Sequence, residues 1–255
     1  MNTDERRSKA NGLSVFIGVY LWLALFLPVV SAAAPQDNRL TDAERHERWR
    51  LLFDGVSSKG WEEVTGKPLP SHSWTIDDGC LKALVSQDGF QDIRTVDTFR
   101  SFDLDFDWKL LQDGNSGVKY LLQRTDEWVN QQGRQARARG LEYQLADDHN
   151  SDAASDPTRV TASLYSVFAP SHRTRFAIGA FNHSRVAVHR DHVEHWLNGT
   201  KVLEFEIQQP EVNRLLLSMR PPDSPNQPIR RESPISLQNH SSETWFKNIK
   251  IRPLD

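Results

Sequence analysis

Short runs of alternating hydrophobic and polar residues, separated by Gly, Asp, Asn and Pro, dominate the chain from Leu51 onward. The alternation is strict over residues 102–108, where Phe, Leu, Phe and Trp share one face and three Asp share the other. A period of two residues is typical of a strand with one buried face. The sequence therefore predicts a half-buried strand over residues 102–108.

Turn residues between other alternating runs predict hairpins. Residues 74–76 and 80–84 flank Asp77-Asp78-Gly79, and residues 193–197 and 201–207 flank Asn198-Gly199. Asp-Gly and Asn-Gly supply the positive φ that a tight hairpin turn needs. Further strands are predicted over residues 118–122, 141–145, 185–189, 235–238 and 245–252. Many short strands with little helix indicate an all-β sandwich or jelly roll.

The remaining segments are predicted to be a short helix and three long loops. Thr41 and Glu44 have the spacing of a capping box, which predicts a helix to about residue 50 within an N-terminal segment, residues 33–50. Long loops are predicted where hydrophobic periodicity is absent, over residues 124–140, 146–160 and 208–233. Long loops in a compact sandwich usually have a functional role. No repeat is evident, so residues 51–255 are expected to form one domain.

The first 32 residues have the three parts of a secretory signal peptide. A basic head ends at Lys9, an uncharged apolar run covers residues 13–30, and small residues occupy positions 31–34. Cleavage is expected after Ala32 or Ala33, which predicts a periplasmic or extracellular protein whose mature chain has no stable membrane insertion. An uncleaved membrane anchor is the alternative, because the apolar run approaches the ~20 residues that span a bilayer.

Composition narrows the classes of partner. The formal net charge is −3, and residues 1–32 contribute +1 through three basic and two acidic residues, so the mature chain is near −4. This charge argues against nucleic acid and anionic membrane surfaces as partners. Cys80 is the only cysteine, so stability must come from the core rather than from an intramolecular disulfide. Seven of the eight Trp follow the signal, and they serve either core packing or sugar stacking.

The order and spacing of nine segments are similar to those of the 3-keto-disaccharide hydrolase domain family, from about residue 51 to 254. The segments are Leu52-Phe53-Asp54-Gly55 with Gly60-Trp61; Trp74 through Asp78-Gly79; Gly114-Asn115-Ser116-Gly117-Val118-Lys119-Tyr120; Gly140-Leu141-Glu142-Tyr143-Gln144-Leu145 with Asp147-Asp148; Leu164-Tyr165 with Ala169-Pro170; Phe181-Asn182; His195-Trp196-Leu197-Asn198-Gly199; Leu237-Gln238-Asn239-His240; and residues 246–254. The resemblance implies a concanavalin-like jelly-roll sandwich of two antiparallel sheets. It also implies action on glycosides whose sugar carries a ketone at carbon 3.

A ketone at C3 changes the chemistry of glycoside cleavage. The hydrogen on C2 becomes acidic, so a general base can remove it, and the resulting enolate expels the C1 substituent by elimination. Water can add to the product later. Such a site needs a base near C2, a group that stabilises the C3 oxygen and an acid for the leaving oxygen. A divalent cation could stabilise the C3 oxygen.

Polar side chains on and beyond the predicted strand 141–145 are candidates for this chemistry. Glu142 and Gln144 share one strand face, and Asp147 follows the strand end. With the resemblance, the expected catalytic residues are Glu142, Asp147, His240 and Lys119, the last for the enolate oxygen. Glu142, Asp147 and His240 are also candidate ligands of one divalent cation, the only cofactor expected. The alternatives are a solvated outer face for Glu142 and a loop role for His240.

Five further residues are expected to bind substrate. They are Gln144, Trp196, Gln238, Asn115 and Asp148. Trp196 shares a strand face with Glu194 and would stack on sugar from a sheet surface, whereas His195 is predicted to be a satisfied histidine at the edge of the core.

Two functions remain open from the sequence. The first is an exported carbohydrate-active enzyme that cleaves 3-keto-glycosides, and the second is a non-catalytic carbohydrate-binding module. The family usually has Gln-Asp-His-Gly where this chain has Gln238-Asn239-His240-Ser241. Loss of the Asp and the Gly is the feature that keeps the second function open.

Overall fold

The computed structural model describes residues 37–254, so the predicted signal peptide lies outside the described residues. The strands are β1 Arg50–Leu51, β2 Trp61–Glu63, β3 Trp74–Asp77, β4 Cys80–Ala83, β5 Gly89–Gln91, β6 Ile93–Thr95, β7 Phe102–Leu110, β8 Asn115–Asn130, β9 Gly133–Ala146, β10 Asn182–His189, β11 His192–Leu197, β12 Thr200–Glu206, β13 Ser236–Leu237 and β14 Thr244–Pro253. The helices are α1 Asp42–His46, α2 Ser151–Ser155 and α3 Pro210–Ser218, with a 3-10 turn at Pro157–Arg159. No helix within the described range is long and apolar enough to cross a membrane.

The strands form two sheets that pack face to face. The eight-stranded sheet has the order β12-β11-β10-β7-β14-β4-β3, with β1 paired to β14. The six-stranded sheet has the order β2-β6-β13-β8-β9-β5. All of these pairs are antiparallel except β5 with β9, which is parallel. The predicted jelly-roll sandwich is confirmed.

Strand β7 shows how the alternating pattern builds the core. The four hydrophobic side chains of residues 102–108 are each no more than 1% exposed and pack between the sheets. Asp103 lies on the opposite face, where Arg185 and Arg252 approach its carboxylate to 2.7 and 2.6 Å. Both predicted hairpins are also confirmed, and Gly79 and Gly199 have the positive φ values of 70° and 80° that their turns require.

The prediction of a loop over residues 124–140 is wrong, because β8 and β9 continue through this segment as one long hairpin. A bulge interrupts their register between Tyr120 and Arg124, and the part beyond it is called the hairpin arm. Asp126 in the arm pairs with Arg124 and with Arg139 across the strands, at 2.6 Å each. These ion pairs and the burial of Ala136 and Ala138 against Val64 and Leu122 stabilise the arm.

Two other segments predicted as loops contain short helices. Residues 146–160 include α2 and the 3-10 turn, and residues 208–233 include α3, which buries Val212 and Leu216 at helical spacing. The capping box of Thr41 and Glu44 is confirmed, but α1 ends at His46 rather than near residue 50. Arg48 adopts a φ of 66°, which turns the chain into β1.

Candidate active site

The outer face of the six-stranded sheet carries a cleft of about 530 Å³. On β8 and β9, Val118, Tyr120, Leu141 and Tyr143 enter the core, so the residues between them face outward into the cleft. Six of the nine predicted site residues line it: Asn115, Lys119, Glu142, Gln144, Gln238 and His240. Residues from β8, β9 and the segment after β13 thus meet on one surface.

Lys119 and Glu142 form the centre of the cleft. They are directly opposite in the β8–β9 register, and Lys119 Nζ lies 3.7 Å from Glu142 Oε2. The two side chains are only 5% and 12% exposed, so the alternative of a solvated outer face for Glu142 is wrong. Burial raises the pKa of Glu142 more than the positive charge of Lys119 lowers it.

Neighbouring residues hold the Glu142 carboxylate in place. Gly117 lies beneath it, and a Cβ at that position would collide with Glu142 Oε1. With its amide nitrogen turned toward Glu142, Gln144 donates to the same oxygen at 3.1 Å. The glycine in β8 therefore provides the space that the catalytic candidate occupies.

Asp92, between β5 and β6, anchors this cluster from below. Its fully buried carboxylate accepts from Lys119 Nζ at 2.9 Å and from Arg137 Nη1 at 3.0 Å. It also accepts from the backbone N–H groups of Ala138 at 3.1 Å and Asn239 at 3.3 Å. Burial raises the pKa of Asp92, but the charges of Lys119 and Arg137 outweigh it and lower the pKa overall. No periodicity or motif in the sequence distinguishes Asp92, and the sequence reading missed it.

Asn239 and Ser241, which depart from the family pattern, serve the backbone. Asn239 is fully buried, and its amide nitrogen donates to the carbonyls of Ser73 and Leu84 at 2.8 and 3.0 Å. An ionised Asp could make neither bond, because it has no donor. Ser241 has a φ of 62°, a conformation that Gly adopts with less strain. The side-chain amide of Asn239 thus tethers the segment that carries His240 to the backbone of Ser73 and Leu84.

His240 lies at the solvent-exposed rim of the cleft. Partial loss of water around the ring and then the positive charge of Arg137 lower its pKa. Lys119 and Asp92 also act on His240, and Lys119 and Arg137 act on Glu142. The protonation states of Glu142 and His240 therefore respond to the same pair of cations.

Asp147 and Asp148 do not join the cleft, which corrects the prediction for both. They line a separate cavity of about 550 Å³. Side chains alternate between the two faces of a strand, and Asp147 is five residues beyond Glu142, directly after the end of β9. Its side chain therefore points away from the face that carries Glu142. Its carboxylate accepts from the Asp113 and His149 amides at 2.9 and 3.2 Å and fixes the loop. Asp148 forms an ion pair with Arg173 at 3.0 Å.

Trp196 also lies elsewhere, on the outer face of the eight-stranded sheet, which corrects its predicted place in the site. Its indole donates to Glu194 at 2.9 Å. His195 on the opposite face is fully buried and lies 2.8 Å from the Tyr120 hydroxyl, which confirms the predicted core-edge histidine. Trp128 of the hairpin arm lines the cleft instead, 39% exposed, and was missed because the arm was predicted to be a loop.

The cleft does not fit the expected divalent cation. Glu142 and His240 lie in the cleft without Asp147, so the predicted ligand set is not assembled. Asp92 and Glu142 already face the cations of Lys119 and Arg137, which leaves no surplus negative charge for a metal. Among the described residues, one His and acidic triad converges, His192, Glu194 and Glu204, on the other sheet. Lys201 lies within 3.1 Å of both of these Glu carboxylates.

Fold and site together define a β-sandwich protein with an acid–base cleft on one sheet face. A partly buried carboxylate beside an ammonium, with a histidine at the rim, provides groups that can exchange protons and stabilise an anion. Such a cluster of perturbed groups in a concave site is characteristic of active sites.

The chain belongs to the family of the 3-keto-alpha-glucoside-1,2-lyase-like domain, whose model matches residues 48–252. A 3-keto-disaccharide hydrolase from Bacteroides thetaiotaomicron is 30% identical over 227 residues, which is 80% of this chain and 78% of that relative. The family resemblance inferred from the sequence is confirmed.

Solved structures show the same sandwich. A Parabacteroides distasonis protein, described provisionally as a glycosyl hydrolase, has a TM-score of 0.72 at 29% identity and covers 86% of this chain and 100% of that one. Another such protein from the same organism has a TM-score of 0.56 at 27% identity and covers 76% and 99% of the two chains.

Proposed function

We propose that the protein is an exported, glycosidase-type enzyme that cleaves 3-keto-glycosides. The observation that carries the proposal is the Glu142–Lys119–Asp92 cluster in the cleft, beside His240. Family membership and the named activity of the Bacteroides relative support the same substrate class.

Glu142 acts as the general base in this proposal. Its raised pKa makes the carboxylate a stronger proton acceptor than an exposed one, which suits removal of the C2 hydrogen. The C–H electron pair moves into an enolate on the C3 oxygen, and Glu142 becomes neutral. Gln144 and the space over Gly117 keep the carboxylate in place during this step.

Lys119 stabilises the enolate oxygen. Asp92 holds the ammonium at 2.9 Å, so it is oriented before substrate arrives and needs no rearrangement as charge develops. When the enolate collapses, a C1–C2 double bond forms and the C1–O bond breaks. His240 at the rim protonates the leaving oxygen, and addition of water across the double bond completes hydrolysis.

The test is to incubate the purified protein with a 3-keto-glucoside and measure release of the aglycone. We expect Glu142→Gln to lower the rate about 10²–10⁴-fold, because a positioned base contributes that factor, and His240→Ala to lower it less. Trp196→Ala, on the other sheet, is the control and should leave the rate unchanged. Absence of release by the native protein, or release insensitive to both cleft variants, would refute the proposal.

Binding without turnover is the remaining alternative. Its support in the sequence was the loss of an Asp and a Gly at positions 239 and 241. Because the Asn239 side chain donates to two backbone carbonyls rather than facing the cleft, that loss does not remove a group from the cluster. Calorimetric binding of the 3-keto-glucoside with no product formed would restore the alternative.

A further inference from the structure

A short segment beside β9 adds a residue to the cleft next to Glu142. Residues 162–165 run along the edge of β9 that faces away from β8. The Tyr165 N–H donates to the Glu142 carbonyl at 3.1 Å, and Leu164 forms an antiparallel bridge with Tyr143. By this register Tyr165 lies directly opposite Glu142 on one side, as Lys119 does on the other. The three residues form one row across the sheet, with Glu142 in the middle.

The side chain of Tyr165 lies on the same face of the sheet as that of Glu142. Leu164 is fully buried in the core, so its neighbour Tyr165 points outward, and it lines the cleft. Residues directly opposite each other in an antiparallel pair have Cβ atoms about 4.5–5.5 Å apart. Tyr165 therefore flanks Glu142 on the side away from Lys119.

The Tyr165 hydroxyl is free to bond a ligand. The two other tyrosines in the described part of the chain are hydrogen-bonded in the core, Tyr120 to His195 and Tyr143 to Ser184, at 2.8 Å each. Within residues 37–254 the hydroxyl of Tyr165 has no partner, and its side chain is only partly buried. It is thus a polar group of the cleft that the fold does not use.

A cation–π contact holds the Tyr165 ring in place. The Arg159 guanidinium lies 5.7 Å from the centre of the ring. Arg159 is itself held by Asp152 and Asp156, each at 3.6 Å. The ring is therefore oriented before a ligand arrives.

We infer that Tyr165 donates a hydrogen bond to the oxygen on C1, which is the leaving oxygen. The inference rests on the proposed function and adds a catalytic residue to it. In a sugar ring, C1 and C3 are the two neighbours of C2. With the C3 oxygen at Lys119 and the C2 hydrogen at Glu142, C1 and its oxygen lie toward Tyr165. Neighbouring strands are about 4.8 Å apart, so the row spans about 10 Å at the backbone, which one sugar ring with its substituents covers.

The contact divides the work at C1 between two residues. The leaving oxygen has two lone pairs, so it accepts from Tyr165 while it takes the proton of His240. Tyr165 fixes the position of this oxygen and stabilises the negative charge that develops on it as the C1–O bond breaks.

The experiment combines removal of the hydroxyl with removal of the C1 oxygen. Calorimetry compares methyl 3-keto-glucoside with 3-keto-1,5-anhydroglucitol, which has no oxygen substituent on C1. Both are measured in the slow Glu142→Gln protein, with and without Tyr165→Phe. We expect Tyr165→Phe to weaken binding of the methyl glycoside about fivefold, the usual contribution of one hydrogen bond between neutral groups, and to leave binding of the anhydro sugar unchanged.

The matched control is Ser155→Ala, which removes an exposed hydroxyl outside the cleft. In α2 this hydroxyl donates to the Asp152 carbonyl at 2.9 Å. The control should change neither affinity. Equal weakening of both ligands by Tyr165→Phe would assign the hydroxyl to another part of the sugar or to the fold, and no weakening of either would exclude a contact. Each of these results overturns the inference and leaves the proposed function standing.

Kinetics in the otherwise native chain provide a second measurement. Tyr165→Phe should lower kcat/KM for methyl 3-keto-glucoside at least fivefold, because the contact strengthens as charge develops on the oxygen, and an unchanged value would overturn the inference. The native protein is also titrated with the anhydro sugar, which has no group to release from C1. If it neither binds this compound nor cleaves the methyl glycoside, the proposed function fails and the inference fails with it.

Discussion

Single residues in the cleft derive their chemistry from what surrounds them. Glu142 and His240 have ordinary pKa values of 4.5 and 6.5; burial raises the pKa of Glu142, and partial loss of water around the ring lowers the pKa of His240. Lys119 is restrained by a carboxylate that no substrate reaches, because Asp92 is fully buried. These environments turn common side chains into a candidate base, acid and anion stabiliser.

The pH dependence of catalysis follows from the directions of these two shifts. The proposed mechanism needs Glu142 deprotonated and His240 protonated. The raised pKa of Glu142 moves the acid limb upward from 4.5, and the lowered pKa of His240 moves the alkaline limb downward from 6.5. We therefore expect a narrow bell in kcat/KM with its maximum between these values, measured with a 3-keto-glucoside.

Two results check the assignment of the limbs. His240→Ala should lower the rate and remove the alkaline limb, while the acid limb stays where it is. A native profile that is flat from pH 5 to 8 would contradict the assignment of both groups.

At the scale of elements, the site depends on five strands that meet at one buried carboxylate. Asp92 between β5 and β6 bonds to Lys119 on β8, to Arg137 on β9 and to the backbone after β13. The side chains come from positions far apart in the chain, and strand pairing together with a common bond to Asp92 places them together. The same carboxylate therefore serves the fold and the site.

Asp92→Asn tests this double role. It leaves the buried cations without a matching charge, so we expect the free energy of unfolding in urea to fall by about 3–5 kcal/mol and aglycone release to fall as well. Asp77→Asn is the control, because that carboxylate is 56% exposed and lies 3.9 Å from Lys82; its loss should cost less than about 1 kcal/mol.

At acidic pH, the native protein and Asp92→Asn should have the same free energy of unfolding. Because the pKa of Asp92 is lowered from 3.8, its stabilisation is present above that value and is lost as the pH falls through the folded-state pKa. Equal stability of the two proteins at pH 7 would contradict the role of Asp92.

The elements also show where the sequence pattern stops being informative. The hairpin arm has little hydrophobic alternation, because its buried apolar side chains are the small ones of Ala136 and Ala138, which pack with Val64 and Leu122. Ion pairs of Asp126 with Arg124 and Arg139 add to this cluster. A reading based on hydrophobic period therefore predicted a loop and missed Trp128. Helix α3 was missed for a related reason, since only Val212 and Leu216 are buried along its nine residues.

For the whole molecule, the predicted export signal decides where the proposed reaction takes place. We expect N-terminal sequencing of the mature protein from a producing cell to begin at Ala33 or Ala34, because small residues follow the apolar run. The separately expressed chain from residue 33 should fold and serve as the size standard. A mature protein that begins at Met1 would favour the uncleaved anchor.

The sequence by itself determined the class of fold, the hairpins and the family. Alternation, turn residues and ordered motifs are local, and burial on one face of a strand leaves a direct trace in them. It also singled out Lys119, Glu142 and His240 as candidates, because they lie on or beside those motifs, and the structure places all three in one cleft. Tertiary structure alone decided that Asp147, Asp148 and Trp196 lie elsewhere, that Trp128 lines the cleft and that buried Asp92 anchors its charged residues from below. The reason is physical: strand pairing and charge neutralisation join residues that no period or spacing connects.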